Sequence, residues 1–223
     1  MARPAMSKEL VNANRINIIN AAMEMIRDEG LSSVSARSLA QKIDINSALI
    51  YRYFSDIDEV ILFACVHILQ EYSLEMMEAG KKAEAENPDI SDLDLYLLSW
   101  EIFCKHAFTR PEEYMILFFS KHSAKLYDVI GQYSELFPYK SGGEDDIILQ
   151  GMFRTSNLRN RNLFVLHPIL DGKKNEDEIM LINDMTVSYF YALLTQITGP
   201  NENVTPEYQT NHMLKACKYL LGL

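Results

Sequence analysis

The sequence predicts an all-α protein: an N-terminal three-helix domain containing a helix-turn-helix, then a larger C-terminal helical bundle. Three observations carry this. Apolar residues recur at helical spacing, as in Ile18, Ile19, Ala22, Met25 and Ile26, which line one face of a helix. Turn and cap residues punctuate these stretches, and no alternating run is long enough to suggest a strand. The first four segments read long, short, short, long, and a short pair joined by a tight turn is helix-turn-helix geometry.

The first helix is expected over Asn12 to Glu29, stopped by Gly30. Ser35 can cap a short helix to about Ile43, with Leu39, Ala40 and Ile43 inward. Asp44-Ile45-Asn46 is the turn, and Asn46 can cap Ser47 to Tyr53. Asp56, with Glu59 as its capping-box partner, opens a long helix to about Ala85, before Asn87-Pro88. Asp92 to Ala107 is the next, Thr109-Arg110-Pro111 opens another to His122, and Ala124 to Phe137 follows. Ser141-Gly142-Gly143 reads as a loop and Glu144 as a helix start. The polar, Arg-rich stretch Thr155 to Asn162 is left open between helix and loop, and Pro168 with Asp171-Gly172 marks a break. Asn175 can cap a helix to Thr198, and Thr205-Pro206 starts the last, ending near Leu221.

Composition narrows the function classes. Hydrophobic residues make up 48% of 223, enough for a sizeable core. No uninterrupted apolar run suggests a membrane span, and the N-terminus lacks a signal-peptide stretch, so a cytoplasmic protein is expected. Cys65, Cys104 and Cys217 share no short spacing and sit in apolar contexts, as buried reduced thiols do. No metal site and no cofactor motif is found, and His67, His106, His122, His167 and His212 show no ligand-like pairing. The net charge is −10. Residues 1–60 hold seven basic and eight acidic side chains, so the acidity lies mainly beyond them.

A helix-turn-helix needs a small core to fix its angle, and Ala22, Met25, Leu39, Ala40, Ile45, Ile50 and Phe54 can supply it. The outer side of the second short helix then enters a DNA major groove. Ser47, Ala48, Leu49 and Arg52, with Asn46 at the helix start, are placed for base edges. Tyr51 and Tyr53 suit phosphate contacts, Ser35 and Arg37 lie toward the same groove, and the helix N-termini near Ala36 and Ile57 offer backbone donors.

This segment resembles the DNA-binding domain of TetR-family regulators. The resemblance is carried by Arg15, Ile18, Ile19, Ala21, Ala22, Glu29 and Gly30, then Ser35, Arg37, Leu39 and Ala40, then Ile50, Tyr51, Tyr53 and Phe54, then Asp58, Glu59 and Val60. It covers about the first quarter of the chain. Two positions depart from the family pattern: Asp44 where glycine is usual in the turn, and Ile57 where a lysine usually grips phosphate.

The resemblance implies a DNA-binding domain over 1–56 and a ligand-sensing, dimerising domain over 57–223. The expected function is transcriptional regulation, as a repressor, with a double-stranded DNA operator, an unidentified small-molecule effector and a second copy of the chain as partners. For the effector pocket the candidates are Tyr96, Trp100, Phe103, Cys104, Phe108, Tyr114, Phe118 and Tyr189, with Met152 and Tyr191 as weaker ones. For the dimer interface they are Ile182, Met185, Tyr189, Leu193, Met213, Leu214 and Cys217. Arg154, Arg159 and Arg161 read as a small basic cluster on a solvated loop or at an anion site, and His106 as a group near the pocket. Two alternatives stand beside this: a TetR-like protein that acts through protein partners instead of DNA, and a small helical enzyme. The sequence offers no catalytic motif for the latter.

Overall fold

The computed structural model describes residues 7–138, 157–199 and 204–223. They form α1 (Lys8–Glu29), α2 (Ala36–Lys42), α3 (Ser47–Tyr53), α4 (Ile57–Glu86), α5 (Asp92–Thr109), α6 (Pro111–Phe119), α7 (Leu126–Leu136), α8 (Leu158–Leu170), α9 (Glu176–Ile197) and α10 (Pro206–Leu221). Short 3-10 turns sit at Leu31–Ser33 and Ser123–Lys125, and no strand occurs among the described residues. The loop at Ser141, the helix start at Glu144, Met152, Arg154 and the stop at Pro200 lie outside them.

Local chemistry sets most helix starts. Ser7 accepts from Leu10 N at 3.3 Å, so α1 begins four residues earlier than Asn12. Ser35 and Ser38 exchange bonds across the start of α2, and Asn46 Oδ1 takes Ala48 N at 2.8 Å to start α3. At α4, Glu59 N donates to Asp56 Oδ1 at 2.8 Å as expected, but the Glu59 carboxylate takes Ser55 N at 2.6 Å and not the Asp56 N–H, so the expected reciprocal pair is only half formed. Such caps satisfy donors that helices otherwise leave orphaned, at about 1 kcal/mol each.

Two further expectations change, and one stretch left open is decided. α6 stops at Phe119, short of His122, because the Ser120 hydroxyl takes His122 N at 3.0 Å and turns the chain. The Arg-rich stretch is helical from Leu158, where Asn157 Oδ1 accepts Arg159 N at 2.7 Å. Pro168 lies inside α8 instead of ending it. Only two residues follow it, so the lost hydrogen bond falls in the last turn and the helix need not break.

α4 spans both halves of the chain. Its N-terminal part packs on α1, and further along it meets α5, α6 and α7. It is long and apolar enough to cross a membrane by length and composition, contrary to the expectation from the sequence, but 56% of its most apolar window is buried inside the fold, the pattern of a core helix. α10 lies along α5, and α9 packs on α8 and α10. Where α5, α6 and α9 meet, rings interlock: Phe103 stands 5.1 Å from Phe190, 5.4 Å from Tyr114 and 5.5 Å from Trp100 between centroids. These offset and edge contacts are the favoured aromatic geometries. Cys65, Cys104 and Cys217 are free and buried. Burial pushes each thiol up, Cys217 to about 12, so none is a thiolate at neutral pH.

Candidate nucleic-acid interface and ligand cavity

The turn between α2 and α3 is closed by Ile45 N donating to Ala40 O at 2.9 Å. Asp44 carries φ 52°, the only positive φ outside glycine among the described residues. That is the left-handed geometry for which glycine is best suited and Asp is tolerated. The departure from the family pattern is therefore accommodated without changing the turn. Ala22, Met25, Leu39, Ala40, Ile50 and Phe54 are buried beneath it, and Ile45 packs at its edge.

α3 presents Ser47, Ala48, Tyr51 and Arg52 to solvent, with Arg37 exposed on α2. Tyr51 is 55% exposed, high for an aromatic side chain with no packing role. Leu49 is half-buried. Three of the expected contact residues already have local work: Ser35 and Asn46 cap helices, and Tyr53 takes a hydrogen bond from Asn14 Nδ2 at 3.1 Å. Lys42 pairs with Glu24 at 3.2 Å. Ile57 is half-buried against the core. The first-turn donors Ser38 N of α2 and Glu59 N of α4 are held by Ser35 and Asp56, so fewer backbone N–H groups remain for phosphates than expected from the sequence.

Arg15, inside the matching motif, does not face this surface. Its guanidinium lies 4.9 Å from the Phe63 ring and 5.3 Å from the Phe54 ring, and Nη2 reaches Gln132 Oε1 on α7 at 2.8 Å. Burial holds its pKa below the usual arginine value, against the pull of Glu59 and Glu135. Nearby, His122 Nε2 and Lys121 Nζ approach Asp58 of α4 at 3.3 Å and 3.8 Å. These contacts tie the helix-turn-helix to the α6–α7 region.

The larger cavity lies between α4, α5 and α8, about 560 Å³ in volume. Tyr96, Trp100 and Phe103 line it, as expected. Cys104, Phe108 and Tyr114 are instead packed in the core, Phe118 borders a separate cavity of about 390 Å³ with Phe119 and Tyr191, and Tyr189 is an exposed residue of α9. The sequence did not point to the walls from α4 and α8: Tyr72, Met76, Met77 and Gly80 on one side, Arg161, Asn162, Phe164 and Val165 on the other. Asn162 anchors a buried polar lattice. Its Oδ1 accepts from Tyr96 Oη and Trp100 Nε1, each at 3.0 Å, and its Nδ2 donates to Asn183 Oδ1 at 2.9 Å.

The expected basic cluster is divided by helical geometry. Arg159 pairs with Asp184 and reaches Ser188 Oγ at 3.1 Å, whereas Arg161 lies over the Phe118 ring at 5.4 Å. Burial lowers Arg161 to about 10. His106 is engaged away from the cavity, its Nε2 2.7 Å from Glu75 Oε2. Of the residues expected at a pairing surface, Ile182, Leu193, Met213 and Cys217 are buried within the chain itself; Met185 and Tyr189 are exposed and Leu214 is half-buried. Among the described residues, no three His, Cys, Asp or Glu side chains gather as metal ligands.

Residues 18–63 match the family described as bacterial regulatory proteins, tetR family. The chain carries a TetR-family N-terminal domain. The matched span runs from the buried face of α1 through the helix-turn-helix into the first turns of α4. The HTH-type transcriptional regulator HbdR of Aromatoleum sp. (strain CIB) is 28% identical over 68 residues, a match spanning 30% of this chain and 30% of that protein. Over most of the chain the fold is similar to that of two solved regulators. Thermus thermophilus FadR, a TetR-family transcriptional repressor solved in complex with lauroyl-CoA, superposes with TM-score 0.57 at 13% identity, covering 93% of each chain. A transcriptional regulator from Rhodococcus sp. Rha1 gives TM-score 0.52 at 14% identity, covering 93% of this chain and 96% of that one.

Proposed function

We propose that this chain is a TetR-type transcriptional repressor of the cytoplasm. It binds operator DNA as a homodimer through α3, and a small molecule in the cavity between α4, α5 and α8 lowers that affinity. The observation that carries the proposal is the coincidence of the family match with an exposed α3 face, Ser47, Ala48, Tyr51 and Arg52, held by a buried core. The FadR likeness, in a protein solved with an acyl-CoA, supports a ligand role for the C-terminal bundle.

α4 supplies the physical link. Its 30 residues extend about 45 Å at the usual helical rise. One end packs against α1 beside the helix-turn-helix, and the other supplies Tyr72, Met76, Met77 and Gly80 to the cavity. A ligand that shifts α4 changes the spacing of the two α3 helices, which must stand about 34 Å apart to meet successive major grooves. Such coupling is typically worth about 1–3 kcal/mol.

The test is a salt series of binding to the DNA upstream of the chain's own gene. Affinity should fall as salt rises, with a slope about one unit smaller than a lysine in place of Ile57 would give. Arg52→Ala and Tyr51→Phe should weaken binding, each with the fold intact. Absence of any salt-dependent shift, or full affinity in Arg52→Ala, overturns the DNA reading and points to a protein partner.

A further inference from the structure

We propose that the cavity between α4, α5 and α8 takes an uncharged, apolar molecule with at most one neutral oxygen, and discriminates against carboxylates, ammonium ions and phosphate-bearing conjugates of the same carbon chain. The proposal names the ligand class within the ligand-controlled reading and rests on that reading for its biological role, while the binding itself is measured without DNA.

The cavity, about 560 Å³, has the size of a small-molecule site. Met76, Met77, Leu95, Leu98, Val165 and Ile169 give it apolar surface, and the two methionines adapt to the shape of an occupant. Its uncharged polar side chains spend their bonds within the wall. Tyr96 Oη and Trp100 Nε1 donate to Asn162 Oδ1, each at 3.0 Å, and Asn162 Nδ2 donates to Asn183 Oδ1 at 2.9 Å. Tyr72 Oη donates to Met76 Sδ at 3.5 Å, and Ser99 Oγ to Tyr96 O at 2.7 Å. The charged side chains are equally committed. Lys81, Glu84 and Asp92 are exposed, so water screens them. The Arg161 guanidinium lies over the ring of Phe118, which borders the other cavity, and both Arg161 and Lys81 have other interactions within the chain. An ion entering this space therefore gives up its hydration and finds no desolvated counter-charge, the costly way to bury charge. A neutral oxygen loses far less, because the Asn162 amide carries a second N–H beside the one given to Asn183. Gly80 points to an occupant independently. It lies inside α4, where glycine weakens a helix relative to other residues, and a Cβ placed there meets no atom of the described residues within 4 Å. No packing contact requires its missing side chain, and the room it leaves opens on the cavity.

The full chain contains its own probe. Trp100 is the one tryptophan in the sequence and it lines the cavity, so its fluorescence reports occupancy without DNA. Decanol, methyl octyl ketone, decanoate, decylammonium and decanoyl-CoA are titrated against it, each below the concentration at which it forms micelles. Decanol and the ketone should each give a saturable change at least about tenfold tighter than any of the three ions, a factor equal to about 1.4 kcal/mol. Gly80→Leu fills part of the space and should weaken decanol at least about fivefold. Its melting point should stay at or above wild type, because leucine is the better helix former, which separates a filled cavity from a damaged fold. If Gly80→Leu does not fold, the wild-type ranking of the five probes decides alone. Any ion binding as tightly as decanol, no response to decanol or the ketone, or unchanged decanol binding in folded Gly80→Leu overturns the assignment. Decanol binding with the expected ranking that leaves operator affinity unchanged overturns ligand control instead, with the ligand class intact.

Discussion

Replacing Asn162 with leucine strands three buried groups at once. Tyr96 Oη and Trp100 Nε1 lose their shared acceptor, each now 3.0 Å away, and Asn183 Oδ1 loses a donor at 2.9 Å. Tyr96 is 2% exposed and Asn183 1%, so bulk solvent cannot replace those bonds. An unsatisfied buried polar group costs about 1–3 kcal/mol. The low end applies here, because the adjoining cavity can admit water to some of them, and three groups then give about 3 kcal/mol. Leucine is close in size, so little of this loss is a volume effect. Urea denaturation followed by circular dichroism measures it as a shift in midpoint at constant slope. Tyr96→Phe deletes one donor and should lose only about 1 kcal/mol, and combining it with Asn162→Leu should cost less than the sum. A loss below about 1 kcal/mol in Asn162→Leu, or strict additivity of the pair, would refute the idea that this lattice is a cooperative strut between α5, α8 and α9.

Three further outcomes follow from the same geometry. Arg15→Leu removes a ring-stacked cation and the bond to Gln132, and should lower stability by about 1–3 kcal/mol in the same urea assay; a change under about 0.5 kcal/mol counts against the joint between the helix-turn-helix and α7. Asp44→Gly relieves a left-handed residue at a penalty of about 1–2 kcal/mol but adds unfolded-chain freedom, for a net gain of a few tenths to about 1 kcal/mol; thermal unfolding at or below the wild-type midpoint is the contrary result. His67, its Nδ1 2.9 Å from Tyr133 Oη, is held below the usual histidine value chiefly by burial, with Glu71 opposing and Arg110 adding to the shift. The folded state thus binds its proton less readily than the unfolded one, so its contribution is complete above about pH 6.5 and fades as pH falls through the lowered value. His67→Gln should flatten the fall in melting temperature between about pH 7 and 5, and a slope equal to wild type removes His67 as its source.

What the sequence made legible was local. Ser35, Asn46, Asp56, Asn175 and Thr205 each cap the helix expected of them, because capping is decided within three residues. The helix-turn-helix was readable for the same reason: its core residues lie within some thirty positions of one another. The cavity was readable on one side only. α5 announced its aromatic face, but the facing walls come from α4 and from α8, dozens of residues away in either direction. Arg161 looked like part of a charge cluster, since a helix that turns Arg159 toward Asp184 and Arg161 toward Phe118 cannot be inferred from composition. Pro168 read as a break because its place in the last turn depends on where Asn157 starts the helix.

The packing of α10 onto α5 bears on how the chain assembles. Met213 and Cys217 are sealed beneath that contact, within one chain. The apolar surface left on α9, at Leu181, Met185 and Tyr189, is a coating on a finished body and not an unfilled half of one. Association through it would be an equilibrium between folded monomers and folded dimers, set by concentration and separable from the folding transition. Under the proposed repressor function, occupancy of an operator would then respond to the amount of protein in the cell as a second power at low copy number, so dilution at cell division would act in the same direction as the proposed ligand.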